Sequence, residues 1–149
     1  MTAAVRVTTD LDDIDLDVVH RWLSEEAYWA LGRSREVVEA AARASVNFGA
    51  LDADGRLVGY ARVVTDRVTF AWLCDVFVDP AARGLGAGKA LAGAVVAAVR
   101  PMGLKRVMLA TADAHELYRR FGFEGVTDPE KLMILAQPSA QRGADQEAV

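Results

Sequence analysis

A chain of 149 residues, 52% hydrophobic and 26% charged, has room for one sizeable core and lies outside the composition of disordered chains. Its formal net charge of −4 argues against a duplex nucleic-acid binder. The single cysteine, Cys74, excludes an intramolecular disulfide and a cysteine zinc cluster, and the two histidines, His20 and His115, lie far apart in sequence, so no metal is expected. The first residues lack the apolar centre of a signal peptide and no apolar run is long enough to cross a bilayer, which predicts a cytoplasmic protein without a membrane partner.

Ala4 to Thr8 alternates like a short strand, and Leu16, Val19 and Leu23 follow helical spacing after an acidic start. Gly32 breaks this helix, and Ser34 is a good N-cap for a second one over Glu36 to Ala44. Asn47 to Leu51 and Leu57 to Thr65 read as strands joined by an Asp54-Gly55 hairpin turn. After a second turn at Asp66-Arg67, Thr69 to Val78 is a long strand rich in aromatic and β-branched residues, ended by Asp79-Pro80. A glycine-rich turn then leads to a long apolar helix, Ala90 to Arg100, stopped by Pro101-Met102-Gly103. Arg106 to Ala110 is a further strand, Ala114 to Phe121 a short helix, and Phe123 to Val126 with Leu132 to Leu135 a final strand pair. Residues 1–137 are predicted to form a single domain and residues 138–149, polar and small, a disordered tail. Hairpins come first and one βαβ crossover follows, so the fold is of the α/β or α+β class, with a mixed, mostly antiparallel sheet flanked by helices.

The segment Val76-Phe77-Val78-Asp79-Pro80-Ala81-Ala82-Arg83-Gly84-Leu85-Gly86-Ala87-Gly88-Lys89 joins that crossover. Glycines at every second position let the backbone turn tightly and approach a ligand closely. The free N–H groups and positive dipole end of the following helix then form a cradle for phosphate oxygens. A Walker A loop fails here, because Ala90 stands where the magnesium hydroxyl belongs and Arg83 where the first glycine belongs. A dinucleotide fingerprint fails too, since Lys89 occupies the third glycine position.

Arg83, Gly86 and Gly88 do fit the pattern [Q/R]-x-x-G-x-[G/A], and Leu117-Tyr118-Arg119-Arg120-Phe121-Gly122-Phe123 fits an LY-x-x-x-GF segment. In this pair of segments, their order and their separation, the chain resembles the GNAT-type N-acetyltransferases. The resemblance implies that the turn Arg83, Gly84, Leu85, Gly86, Ala87, Gly88 and Lys89 holds the pyrophosphate of acetyl-coenzyme A. It also implies that the strand Val76, Phe77 and Val78 splays from its neighbour, so that the pantetheine arm adds to it like an extra strand. Thr111 stands where the family often has an asparagine that contacts the cofactor.

By the same resemblance, Tyr118 is the candidate acid for the departing thiolate and Asp75 the candidate base for the attacking amine. Cys74 and Asp75 are adjacent on a strand, so alternation predicts that only one of them faces the substrate. His115 reads as an exposed helix residue and Cys74 as a small buried one. Tyr28, Trp29, Phe70 and Trp72 are candidates for the wall of the acceptor pocket, suited to an amine through cation–π contact. The expected activity is acetyl transfer from acetyl-coenzyme A to a primary amine on a small molecule or peptide. The alternative is a non-catalytic acyl-coenzyme A sensor or regulatory binding module, which needs the glycine turn but neither acid nor base. The sequence leaves open the acceptor and the choice between monomer and homodimer.

Overall fold

The computed structural model describes residues 4–138. A five-stranded sheet runs in the order β1-β2-β3-β4-β5, with β1 at Arg6–Thr8, β2 at Val46–Leu51, β3 at Leu57–Thr65, β4 at Phe70–Val78 and β5 at Arg106–Leu109. The first four strands pair antiparallel, and β5 joins β4 in parallel after the crossover helix. The helices are α1 at Leu16–Glu25, α2 at Arg35–Arg43, α3 at Ala87–Val99 and α4 at His115–Arg119.

Local chemistry accounts for most boundaries. The Asp15 carboxylate accepts from the N–H groups of Asp17 and Val18 at the start of α1, and Ser34 Oγ accepts from Val37 N at the start of α2. In the β2–β3 turn the Asp52 carboxylate accepts from the N–H groups of Asp54 and Arg56, and in the β3–β4 turn Asp66 does the same for Val68 and Thr69. One apolar core gathers Trp22, Leu23 and Val38 of α1 and α2 with Leu51, Leu57 and Tyr60 of the sheet. A second gathers Leu91, Val95 and Val99 of α3 and Tyr118 of α4 with Phe48, Ala61, Val63 and Leu73. Gly59 permits the close docking of α3, since a Cβ there would stand 3.0 Å from Leu91 Cδ1 and 3.3 Å from the Phe77 carbonyl oxygen.

Two expectations are corrected. Helix α3 begins at Ala87, three residues before the predicted start, because Gly86 adopts φ +83 and serves as its N-cap; Gly88 and Lys89 thus lie in its first turn. The predicted final strand pair is not formed: neither Phe123–Val126 nor Leu132–Leu135 is a strand. A strand exists only through a ladder partner, and the run from Leu132 lies exposed, without one among the described residues. The predicted tail, apart from Pro138, lies outside the described residues.

Candidate functional site

Strands β4 and β5 part company midway. Their last paired residues are Leu73 and Leu109, and beyond these the two chains open into a cleft of about 400 Å³. The opening coincides with a break in the β3–β4 ladder. Tyr60 faces Phe77 and Arg62 faces Cys74, so the single residue Ala61 stands against both Asp75 and Val76. This is a β-bulge, and Asp75 carries its left-handed backbone at φ +52. Every residue from Trp72 to Val78 borders the cleft, Cys74 and Asp75 among them.

A set of buried polar contacts fixes the bulge. The Asp75 carboxylate accepts from Trp29 Nε1 at 2.9 Å through Oδ1, and from Arg33 Nη1 at 2.8 Å and Arg62 Nε at 2.9 Å through Oδ2. Asp75 is 5% exposed. Burial alone would raise its pKa, but the guanidiniums of Arg62 and Arg33, with hydrogen bonds from Arg62 and Trp29, outweigh it and hold the carboxyl below its ordinary value. A carboxylate bonded in this way is a poor proton acceptor. Trp29 and Arg33 come from the connection between α1 and α2, so the same contacts tie that loop to β4. Arg62 is the partner that the sequence reading missed. Its signal was there: a charged residue between Ala61 and Val63 in a strand otherwise read as apolar, just as Asp75 stands within β4.

At one end of the cleft lies the glycine turn. Val76, Phe77 and Val78 form one wall, Arg83 and Gly88 reach the rim, and Gly84, Leu85 and Gly86 complete the turn. The N–H groups of Ala87, Gly88 and Lys89 precede the first intrahelical bond of α3, which runs from Ala90 N to the Gly86 carbonyl. Donors in that position form an anion-binding end, with the helix dipole behind them and the exposed Arg83 and Lys89 side chains nearby. The opposite wall is Leu109 to Ala114, where Thr111 Oγ1 accepts from Ala114 N and shapes the entry to α4.

Tyr118 borders the middle of the cleft. It is 7% exposed, packs edge-on against Phe123 with ring centroids 5.8 Å apart, and lies with Leu117 across from Val78. Burial first, and the charge of Asp113 second, push its pKa above 10, so the phenol keeps its proton throughout the neutral range. Burial also lifts the Cys74 thiol to about 11, which leaves it un-ionised. Tyr28, Trp29 and Trp72 border the other mouth. Phe70 does not reach the cleft: it lies at the far end of β4 opposite Arg106, and the expectation that it walls the acceptor side is corrected by its position. His115 borders a separate cavity behind β5.

A splayed parallel strand pair, an anion-binding helix start and a buried tyrosine thus meet in one cleft. The profile of the Acetyltransferase (GNAT) family matches residues 16–123, which takes in all of these elements. The chain belongs to the GNAT family. A solved structure of a GNAT-family protein from Xanthomonas campestris pv. campestris is 44% identical to it, with a TM-score of 0.85 over 92% of this chain and 96% of the other. The GNAT-family N-acetyltransferase YhbS of Escherichia coli, solved in complex with CoA, shares the fold at a TM-score of 0.60 and 23% identity, over 83% of this chain and 69% of that one. A histone acetyltransferase of Glycine max, TAP1, is 38% identical over 78 residues, 52% of this GNAT chain. That match spans about a third of the soybean protein's length, 33%.

Proposed function

We propose that the protein transfers an acetyl group from acetyl-coenzyme A to a primary amine. Membership of the GNAT family supports acyl transfer in general. The observation that carries the finer reading is the continuity of the cleft: it runs from the α3 N-terminus at Gly88, between Val76–Val78 and Leu109–Thr111, to Tyr118, and on to Tyr28, Trp29 and Trp72. The donor set fits coenzyme A. Backbone N–H groups suit a pyrophosphate, and the unpaired edges of the parted strands suit an amide-containing arm. Bound acetyl-coenzyme A supplies a thioester, an acyl group open to attack by an amine.

The residues of the chain then divide the work. The turn from Arg83 to Lys89 anchors the carrier. Tyr118 holds a proton on its phenol oxygen, where it stabilises the negative charge that develops on a leaving sulfur; general acids of this kind contribute roughly 10²–10⁴-fold. Asp75 is a positioning residue rather than the base, since both of its oxygens are already bonded and its pKa is lowered. The amine therefore arrives neutral and gives its proton to water after attack. Tyr28, Trp29 and Trp72 provide the flat surfaces against which the acceptor rests.

The test is the release of free thiol from acetyl-coenzyme A by the purified protein across a panel of small and peptidic amines. Release with at least one amine, lowered at least tenfold by Tyr118→Phe with little change in donor affinity, is the expected result. Donor binding without release across the whole panel refutes the enzymatic reading and leaves a binding module.

A further inference from the structure

Two guanidiniums share one carboxylate at the border of the cleft. Arg33 Nη1 and Arg62 Nε both donate to Asp75 Oδ2, while Trp29 Nε1 donates to Oδ1. All three charged side chains are largely buried. One guanidinium balances Asp75, so the second leaves an excess positive charge, and an uncompensated charge away from water is unfavourable. Arg62 gives its Nη1 to a neutral partner, Ser45 Oγ at 3.0 Å. Arg33 bonds through Nη1, and its buried Nε has no acceptor among the described residues. A buried donor without an acceptor calls for an explanation.

The excess charge is felt in the cleft. Trp29, Cys74 and Asp75 border it, and Arg62 faces Cys74 across the β3–β4 ladder. The charges that act on the half-buried Cys74 thiol are those of Arg62, Asp75 and Arg33, two positive and one negative. Of the other charged residues that border the cleft, Arg83 stands at the glycine turn and Asp113 on the opposite wall. Among the described residues, Asp75 is thus the one carboxylate on the β4 side of the cleft, and both of its oxygens are taken.

We propose that the acceptor is an amine that also carries a carboxylate, an amino acid or a relative of one, and that Arg33 and Arg62 are the residues that select it. The assignment rests on the proposed acyl transfer. The substrate carboxylate brings the negative charge that the Arg33–Asp75–Arg62 set lacks. A polyamine meets repulsion from the same set and finds no free carboxylate beside β4 to hold it. The repulsion also favours a neutral amine over its ammonium form, in keeping with an Asp75 that takes no proton.

Thiol release is measured for amino acids paired with their carboxamides, and for a polyamine, each rate being referred to the unprotonated amine. The acid of a pair is expected to have a kcat/KM at least about tenfold above its carboxamide. Arg33→Met and Arg62→Met each leave Asp75 with one guanidinium, and each is expected to bring that ratio close to one. Cys74→Asp adds the missing negative charge with both arginines in place, and has the same expected effect even where an arginine variant fails to fold. A second readout needs no turnover: N-acetylated amino acids and their carboxamides are titrated into the protein with coenzyme A present, followed by tryptophan fluorescence. The acids are expected to bind at least about tenfold more tightly. If no amine releases thiol while the acids still bind selectively, the enzymatic reading falls and the charge assignment stands. Equal binding of acid and carboxamide, a polyamine as the preferred acceptor, or a preference that survives Cys74→Asp overturns the proposal.

Discussion

Replacing Asp75 with asparagine removes the carboxylate to which Arg33 and Arg62 both bond, and leaves two guanidiniums, 11% and 15% exposed, facing a neutral amide. Breaking a buried ion pair from one side costs about 3–5 kcal/mol, because the remaining charge has lost its compensation. For a domain of this size each kcal/mol lowers the melting temperature by roughly 3 °C, so Asp75→Asn is expected to melt about 10 °C below the wild type at pH 7. The double variant Asp75→Asn/Arg62→Met is expected to recover part of that loss, since one of the uncompensated charges is gone. Thermal unfolding followed by circular dichroism measures both. Turnover measured well below the melting transition separates a positioning role from a proton-accepting one. Under the positioning role, the pH dependence of the remaining activity keeps its shape. A variant that melts within about 2 °C of the wild type, yet has lost its turnover and the alkaline rise of its rate, would show that Asp75 takes the proton and that the reasoning from its bonded oxygens is wrong.

The pH dependence of stability has a defined sign. The pKa of Asp75 is lower in the folded state than in the unfolded one, so its contribution is complete above about pH 4 and fades as the pH falls through the folded value. Melting curves from pH 7 down to pH 2 are therefore expected to fall less steeply for Asp75→Asn than for the wild type. Burial raises the pKa of Tyr118, so its phenol predicts no loss of rate between pH 7 and 9; a Tyr118→Phe rate equal to that of the wild type across this range refutes its role as proton donor. Gly88 has helical backbone, and a Cβ there would meet Leu117 and Val78 only at 3.8 Å, so Gly88→Leu is expected to fold while filling the cleft. Calorimetric titration with coenzyme A should show affinity reduced at least tenfold; unchanged affinity removes the donor from this cleft. If the amine arrives neutral, kcat/KM for a series of amines at fixed pH follows the unprotonated fraction of each, and a rate that ignores amine pKa contradicts it.

The order of the elements from Arg6 to Arg119 was legible because local chemistry dictates it. Capping residues at Asp15 and Ser34, turn residues at Asp54-Gly55 and Asp66, and apolar periodicity in α1 and α3 all agree with the final fold. The paired segments around Gly86 and Tyr118 were legible for the same reason, since backbone freedom and spacing are properties of the sequence itself. What escaped was set by partners distant along the chain. Nothing near Asp75 announces Trp29, Arg33 and Arg62, which lie 46, 42 and 13 residues away. The bulge at Asp75 is a mismatch between two strands, and neither strand shows it alone. Phe70 was misplaced because aromatic character says nothing about position along the strand, and Phe70 stands at its far end, opposite Arg106. The run from Leu132 has the composition of a strand, and composition cannot supply the neighbour that a ladder needs.

The anchoring of the α1–α2 connection has a bearing on how acceptor choice can change. Trp29 and Arg33 are fastened to β4, whereas Tyr28, 58% exposed at the mouth of the cleft, has no side-chain hydrogen bond among the described residues and meets Trp29 edge-on. The loop therefore behaves as a bracket with fixed feet and an interchangeable face. Altering position 28 can reshape the mouth of the cleft without disturbing the strand that lines it. Altering position 29 or 33 instead moves both halves of the site together.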